Sequence, residues 1–343
     1  MRRRYNSFKI LLAVALAGAI PVMAACSSKS TDNSDSAKIA KESENPRPAK
    51  GGGGPQLGKP GGGPSIDKSG DATLQKMIKE LVPKFAKLEF KDAKTGITMK
   101  YNLFTPANMK PGEKYPLVLF IADASTPGTD ITLPLTQGYG GLVWATDDWQ
   151  SSHPCYVLVP QFSGVAVNDD YQHTDEVDVV VRMLQDVAAS NQVDMSRLYT
   201  TGQSMGGMIS MYYNVAYPEM FAASIFVDSH WDTATFDELA RHKFIYFIAG
   251  DKGKAFTDIK PLEEAARKDG VQYTFAEWSA KLPEQRQSDL AATMLEKGAP
   301  VNMFQFEPGT VLPEDGKGSE HMYSFDYAYR IPSVREWLFK QQK

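Results

Sequence analysis

The chain has 343 residues, 42% of them hydrophobic and 11% aromatic, which is enough for a sizeable core in one large domain or two ordinary ones. Its formal net charge is -4, and the acidic excess falls in residues 71–343, where 36 Asp and Glu outnumber 26 Lys and Arg. An acidic body repels phosphate backbones, so the composition argues against a nucleic-acid partner. With only two cysteines, Cys26 and Cys155, no disulfide framework is expected.

Residues 1–25 have the pattern of a secretion signal. Four basic residues, from Arg2 to Lys9, precede a short apolar run over residues 10–20, which is typical of a signal-peptide core and short for a membrane-spanning helix. Residues 22–26 read Val-Met-Ala-Ala-Cys, and small residues directly before a cysteine resemble the lipobox of bacterial lipoproteins. The resemblance implies that Cys26 is lipidated and anchors the protein to a bacterial cell membrane, facing outside the cytoplasm.

Residues 26–70 are rich in Ser, Lys, Gly and Pro and contain no apolar face that could be buried. This composition predicts a flexible tether between the anchored cysteine and a folded domain over residues 71–343. Within that domain, Cys155 belongs to an apolar stretch, so we expect it to be a buried structural residue.

Strand and helix patterns alternate along the rest of the chain, which predicts a mostly parallel α/β sheet with helices on both faces. Helices are predicted over residues 72–87, with Pro83 bending or ending the first, and over 174–189, 205–217, 259–268 and 284–297. Strands are predicted over residues 86–91, 97–104, 115–121, 155–159, 197–201, 223–227, 244–249, 271–276 and 301–306.

Residues 202–207, Gly-Gln-Ser-Met-Gly-Gly, fit the pattern G-x-S-x-G between a predicted strand and a predicted helix. In that context a sharp turn exposes the serine, and the helix directs its positive N-terminus at the site. The motif therefore predicts Ser204 as a nucleophile. The backbone N–H of Met205 is predicted to be one donor to the oxyanion that would form.

Residues 193–207, together with Tyr217-Pro and Phe221-Ala-Ala, resemble the predicted-peptidase and esterase branch of the α/β hydrolases. Polyhydroxybutyrate depolymerases, feruloyl esterases and the prolyl oligopeptidase catalytic domain are related to this branch. The resemblance covers residues 97–341 and implies the α/β-hydrolase fold and a Ser-His-Asp triad that works through an acyl-enzyme. The five histidines are scattered without paired spacing, so no metal or other cofactor is expected.

Chain order in this fold runs from the serine to the acid and then to the histidine. Three histidines follow Ser204, and His321 is the predicted base because it lies late, in a glycine-rich loop before the last helix. His230 follows a predicted strand and could line the pocket, whereas His242 is expected to be a solvated surface residue.

The acid is predicted to be Asp251, since it follows the strand over residues 244–249 at the sheet edge where catalytic groups collect. The resemblance would place an aspartate two residues later, where this chain has Gly253. Asp258 and Asp228 therefore remain open as alternatives.

The second oxyanion donor is predicted to be the backbone N–H of Ala124. After the first core strand the resemblance leads us to expect His-Gly, but this chain reads Ala-Asp-Ala-Ser over residues 122–125. A carboxylate at Asp123 facing the site would oppose an oxyanion, so we expect it to point away.

These residues together favour an esterase acting on small or polymer-linked carboxylic esters. A serine peptidase like prolyl oligopeptidase is the first alternative, although no stretch of this chain could form the propeller that such an enzyme would normally add. A surface lipoprotein that binds a ligand with a decayed hydrolase fold is the second. The intact serine, late histidine and several carboxylates argue against decay.

Overall fold

The centre of the structure, a computed structural model that describes residues 65–343, is a nine-stranded sheet. The predicted signal, Cys26 and most of the predicted tether lie outside the described residues. The strands are β1 (Ala86–Lys91), β2 (Thr98–Phe104), β3 (Tyr115–Ile121), β4 (Tyr156–Gln161), β5 (Val193–Gln203), β6 (Ala223–Val227), β7 (Phe244–Ile248), β8 (Tyr273–Trp278) and β9 (Val301–Phe306).

Their spatial order is β1-β2-β4-β3-β5-β6-β7-β9-β8. The pairs β1–β2 and β2–β4 are antiparallel, and every other neighbouring pair is parallel. The predicted mostly parallel α/β sheet is therefore confirmed. The carboxyl ends of β3, β5, β6 and β7 meet at one edge, which is where open α/β sheets place their ligands.

Ten helices connect and cover the strands in the described part of the chain. They are α1 (Ala72–Leu81), α2 (Leu133–Thr136), α3 (Asp147–Ser152), α4 (Asp175–Ser190), α5 (Met205–Ala216), α6 (Phe236–Leu239), α7 (Lys254–Lys268), α8 (Glu284–Leu295), α9 (Glu320–Arg330) and α10 (Pro332–Phe339). Within residues 65–343, none of the helices combines the length and the apolar character needed to cross a membrane.

The sheet is buried on both faces, and strand β3 shows how. Leu117, Leu119 and Ile121 belong to one hydrophobic core, which helices α4 to α7 cover. Val118 and Phe120 point into the other, which helices α1 and α8 to α10 cover. Because both faces are packed, the central strands are continuous apolar runs without alternation, as expected for parallel sheets.

The observed elements follow the predicted ones closely. The first helix ends at Leu81, and a 3₁₀ turn that contains Pro83 follows it over Val82–Lys84. The sequence does not predict α2, α3 and α6, because segments of four to six residues are too short to display a helical period. Cys155 is buried, as predicted, and burial raises the pKa of its thiol to about 12.

Contacts with the domain begin before α1. Ile66 packs against the core under α1 and α9. The Nζ of Lys68 lies 2.6 Å from Oδ2 of Asp326 on α9, and these two side chains are only 12% and 17% exposed. The backbone N–H of Tyr139 donates to the other oxygen of Asp326, and the Tyr139 hydroxyl contacts Asp71. The segment before α1 is thus fastened to helix α9.

Helix α5 crosses strands β3 and β5 without room for side chains at the crossing. A Cβ atom at Gly206 would lie 1.9 Å from the carbonyl oxygen of Ile121, and one at Gly202 would lie 2.3 Å from the carbonyl group of Gly206. Both obstacles are backbone atoms, which cannot rotate away. Glycine at these two positions is therefore a packing requirement of the fold.

Replacing Gly206 with alanine is expected to lower the free energy of unfolding by about 3 kcal/mol, because the new methyl group must push strand β3 and helix α5 apart. Urea denaturation measures this change. Gly70→Ala is the matched control, since no atom lies within 4 Å of a Cβ there. Equal unfolding midpoints for the two variants would contradict the packing requirement.

Candidate active site

Ser204 lies in the sharp turn between the end of β5 and the start of α5. Its backbone has φ 49° and ψ -121°, a conformation that residues other than glycine rarely adopt. The backbone N–H of Ser204 donates to the carbonyl of Val227 on the neighbouring strand at 3.0 Å, which helps to hold the turn. The serine hydroxyl is thereby presented at the carboxyl edge of the sheet.

His321 lies 117 residues after Ser204 in the sequence, and the two side chains are in contact. Its Nε2 lies 2.9 Å from the Oγ of Ser204, and its Nδ1 contacts the carboxylate of Asp228. An ionised carboxylate can only accept, so Nδ1 carries the proton and Nε2 is free to accept from the serine hydroxyl. The three side chains form one hydrogen-bonded chain in which the imidazole has a fixed tautomer.

Helix α9 sets the position of His321, which is its second residue. The prediction that this histidine lies in a loop is wrong, because His321 is in the first turn of the helix. The ring of Phe325, one turn later, packs edge-on against the imidazole. The hydroxyl of Tyr329 lies 3.0 Å from that of Thr201, which ties α9 to strand β5. The imidazole is thus carried by a packed element.

Asp228 directly follows strand β6 and is 5% exposed. One carboxylate oxygen accepts from the backbone N–H of Ala249 at 2.7 Å, and the other faces His321. Its own N–H donates to the carbonyl of Phe247 at 2.8 Å. Its φ of 42° is another strained conformation, held by these bonds. Both oxygens of the buried carboxylate therefore have partners.

The choice of Asp251 as the partner of His321 is corrected by this geometry. Asp228, one of the open alternatives, makes the contact, because β6 lies beside β5 in the sheet whereas β7, which precedes Asp251, lies one strand further away. Asp251 is exposed at the rim and accepts from the N–H of Gly253 at 2.9 Å. Asp258, the other alternative, is buried in α7, where it accepts from the N–H of Trp231.

The surroundings of His321 favour its charged form. Burial lowers the pKa of the imidazole, but the hydrogen bond and charge of Asp228, with smaller contributions from Asp251 and Asp123, outweigh it and raise the pKa above its ordinary value. An imidazole can accept a proton only in its neutral form. An activity that uses this imidazole as a base is therefore expected to be lost as the pH falls through that raised pKa.

The predicted oxyanion donors lie on either side of the close crossing of β3 and α5. Met205 is the first residue of α5, so the helix itself does not use its N–H. Ala124 lies in the turn after β3. The carboxylate of Asp123 is held by the N–H of Ser125 at 2.7 Å and by the side chain of Gln203 at 3.0 Å. The oxyanion roles of Met205 and Ala124 stay predictions.

A cavity of about 290 Å³ opens beside Ser204 and His321. His230 lines it, as predicted, whereas His242, which was expected at the surface, is only 12% exposed. Asp169 and Lys254 also line the cavity, and the sequence does not predict them because no motif marks them. The full lining is Asp169, Ser204, Met208, Asp228, Ser229, His230, Asp251, Gly253, Lys254, Ala255 and His321.

Comparison with known proteins shows which family and which solved structures the chain resembles. Residues 166–299 match the prolyl oligopeptidase family, and no curated protein shows significant sequence similarity to the chain. A thermostable esterase is 25% identical with a TM-score of 0.62, and the alignment covers 77% of this chain and 64% of that one. The chain thus spans less than two thirds of that esterase.

A feruloyl esterase module from Clostridium thermocellum, solved in complex with sinapinate, shares the fold at 13% identity. Its TM-score is 0.51, with 74% of this chain and 87% of that chain covered. Fold, site and comparisons together define the class: the protein has the α/β-hydrolase fold. Within that class, the chain is similar to a peptidase family over residues 166–299 and to an esterase of known structure.

Asp228→Asn is expected to reduce kcat by up to about 10⁴-fold, because an asparagine at this position no longer fixes the imidazole tautomer. Asp251→Asn is the matched control. It should keep its activity at high pH and move the acidic limb of kcat/KM to lower pH, because a charge that raises the pKa of His321 is removed. Full activity in Asp228→Asn together with a large loss in Asp251→Asn would reverse the assignment.

Proposed function

We propose that the protein is an esterase that works outside the cytoplasm, with Ser204, His321 and Asp228 as its catalytic residues. The observation that carries the proposal is the hydrogen-bonded chain from the Ser204 hydroxyl through the His321 imidazole to the Asp228 carboxylate. It starts at a serine in a strained turn, ends at a buried carboxylate, and leaves each atom in the protonation state that nucleophilic attack requires.

The reaction proceeds in two halves. The Oγ of Ser204 attacks the ester carbonyl while Nε2 of His321 takes the hydroxyl proton, and the same nitrogen then returns that proton to the departing alcohol. Water hydrolyses the resulting acyl-enzyme by the same proton transfers in reverse. Asp228 holds the imidazole in place and stabilises its positive charge in both halves.

The negative oxygen of the tetrahedral intermediates is stabilised by backbone donors in this proposal. The N–H of Met205 at the N-terminus of α5 is one, and the N–H of Ala124 after β3 is the other. The two oxygens of the Asp123 carboxylate accept from Ser125 and Gln203, which leaves the proposed donors Met205 and Ala124 without this carboxylate as a partner.

Esters are favoured over peptides as substrates because the solved structure that resembles the chain at 25% identity is an esterase. The peptidase alternative is supported by the match of residues 166–299 to the prolyl oligopeptidase family. The alternative of a ligand-binding lipoprotein is disfavoured by the complete hydrogen-bonded chain, which a binding protein has no reason to retain.

Ser204→Ala is expected to abolish covalent labelling by a fluorophosphonate and to lower ester hydrolysis by about 10³-fold or more, because the members of a triad act as a unit. Labelling is read by intact-protein mass spectrometry, and hydrolysis with 4-nitrophenyl butyrate. The control is Ser163→Ala, which removes the hydroxyl of an exposed serine.

Wild-type protein assayed in parallel with a prolyl 4-nitroanilide separates the two substrate classes. Preference for the ester supports the esterase proposal, and preference for the anilide supports the peptidase. Equal labelling of Ser204→Ala and wild type would refute the nucleophile in either case.

We further propose that Cys26 carries a lipid that anchors the enzyme to the outer side of a bacterial membrane. The support is in the sequence: a basic start, a short apolar run and a lipobox-like Val-Met-Ala-Ala-Cys. The Gly- and Pro-rich residues that follow supply a linker between anchor and domain.

When cells are fed an alkyne-tagged fatty acid, wild-type protein is expected to become labelled and Cys26→Ala to remain unlabelled. Only the thiol at position 26 can receive the lipid in this proposal. In-gel fluorescence of the purified protein measures the label, and Ser27→Ala is the neighbouring control that should label normally. Label retained in Cys26→Ala would disprove this anchor.

A further inference from the structure

A second group of charged side chains lines the cavity beside Ser204 and has no part in the hydrolytic chemistry described above. Asp169 lies in the loop between β4 and α4, His230 follows β6, and Lys254 is the first residue of α7. One oxygen of Asp169 lies 2.9 Å from Nε2 of His230, and the other lies 2.7 Å from Nζ of Lys254. We call these three residues the Asp169 bridge.

The bridge has the geometry of an occupied carboxylate site. Two donors from separate elements each hold one oxygen of the same carboxylate, which is how proteins bind the carboxylate of a ligand. Burial lowers the pKa of His230, so the neutral ring donates through Nε2. The hydrogen bond from Lys254 lowers the pKa of Asp169, so this carboxylate stays ionised. The chain's own side chain thus occupies the position of an anion.

The charges of the residues that line the cavity also disfavour an anionic ligand. Its lining holds three carboxylates, Asp169, Asp228 and Asp251, against one ammonium group, that of Lys254. Asp251 hydrogen-bonds to Gly253 of its own loop and brings its negative charge to the rim. An anionic group that entered would meet a net negative lining and would have to compete with Asp169 for the Lys254 ammonium and for Nε2 of His230.

We propose that Asp169 is a specificity-determining residue. It makes the enzyme prefer esters whose cavity-bound half is uncharged over esters whose cavity-bound half carries a carboxylate. The inference rests on the proposed esterase function. Removing the charge of Asp169 would free Lys254 and His230 to hold a substrate carboxylate, so a single substitution converts exclusion into attraction.

The experiment compares kcat/KM for matched neutral and anionic esters on the same enzyme sample, so that the concentration of active enzyme cancels. One pair places the charge in the acyl half, 4-nitrophenyl butyrate against mono-4-nitrophenyl succinate. The other places it in the alcohol half, phenyl acetate against 4-carboxyphenyl acetate. The two pairs cover both halves of an ester that could occupy the cavity.

Wild type is expected to prefer the neutral ester. Asp169→Asn should raise the anionic-to-neutral ratio by about fivefold in at least one pair, the size expected for one charge interaction near a surface. Asp169→Ser, which removes the same charge, should repeat the gain. The matched control is Asp170→Asn, a charge removed from the exposed neighbour on the same loop outside the cavity, which should leave both ratios unchanged.

A double variant tests whether Lys254 binds the substrate carboxylate once Asp169 is replaced. If the freed ammonium binds the substrate carboxylate, the gain disappears in the double variant Asp169→Asn, Lys254→Gln. Ratios unchanged in both Asp169 variants, an equal gain in Asp170→Asn, or a gain that survives the loss of Lys254 would each overturn the inference. Wild type without hydrolysis or fluorophosphonate labelling would instead mean that the proposed esterase function has failed.

Discussion

The close crossing of helix α5 with strands β3 and β5 is the constraint on which the site depends. Glycine at 202 and 206 lets three backbone segments meet where any side chain would collide with a carbonyl group. The turn between them can then hold Ser204 at a positive φ and begin a helix at the next residue. The reactive hydroxyl and the N–H of Met205 therefore take their positions from backbone packing, which side-chain motion cannot disturb.

A second constraint concerns the partners of that hydroxyl, which come from distant parts of the chain. Asp228 is fixed by the ends of two neighbouring strands, since its backbone and its carboxylate both bond to the segment around β7. His321 is carried by a helix that is fastened to β5 through Tyr329. The contact between them joins two rigid elements, so little reorganisation is needed when the imidazole becomes charged.

Much of this could be predicted from the sequence, because the strongest signals are local. The apolar strands β3, β6 and β9 were bounded correctly by their composition, and the motif around Ser204 needs only six consecutive residues. The late His321 contacts Ser204, as its place after the motif suggested. Cys155 is buried, in agreement with its apolar neighbours.

Other features depend on three-dimensional contacts that no local pattern carries. The order of strands in the sheet decides whether Asp228 or Asp251 reaches His321, and a sequence alone does not state that order. The Asp169 bridge joins residues 61 positions apart in one of its contacts, and its members belong to no motif. Helix α9 begins among glycines and polar residues, which is why the sequence predicts a loop where its first turn lies.

The ion pair between Lys68 and Asp326 has a mechanical consequence. It joins the segment that precedes α1 to the helix that carries His321, and both partners are largely shielded from water. Pulling such a pair apart would leave a carboxylate in the interior without its counter-charge, which is strongly unfavourable. Force transmitted along the chain from its N-terminal side therefore acts on a largely shielded ion pair, and through that pair on the same helix that positions the imidazole beside Ser204.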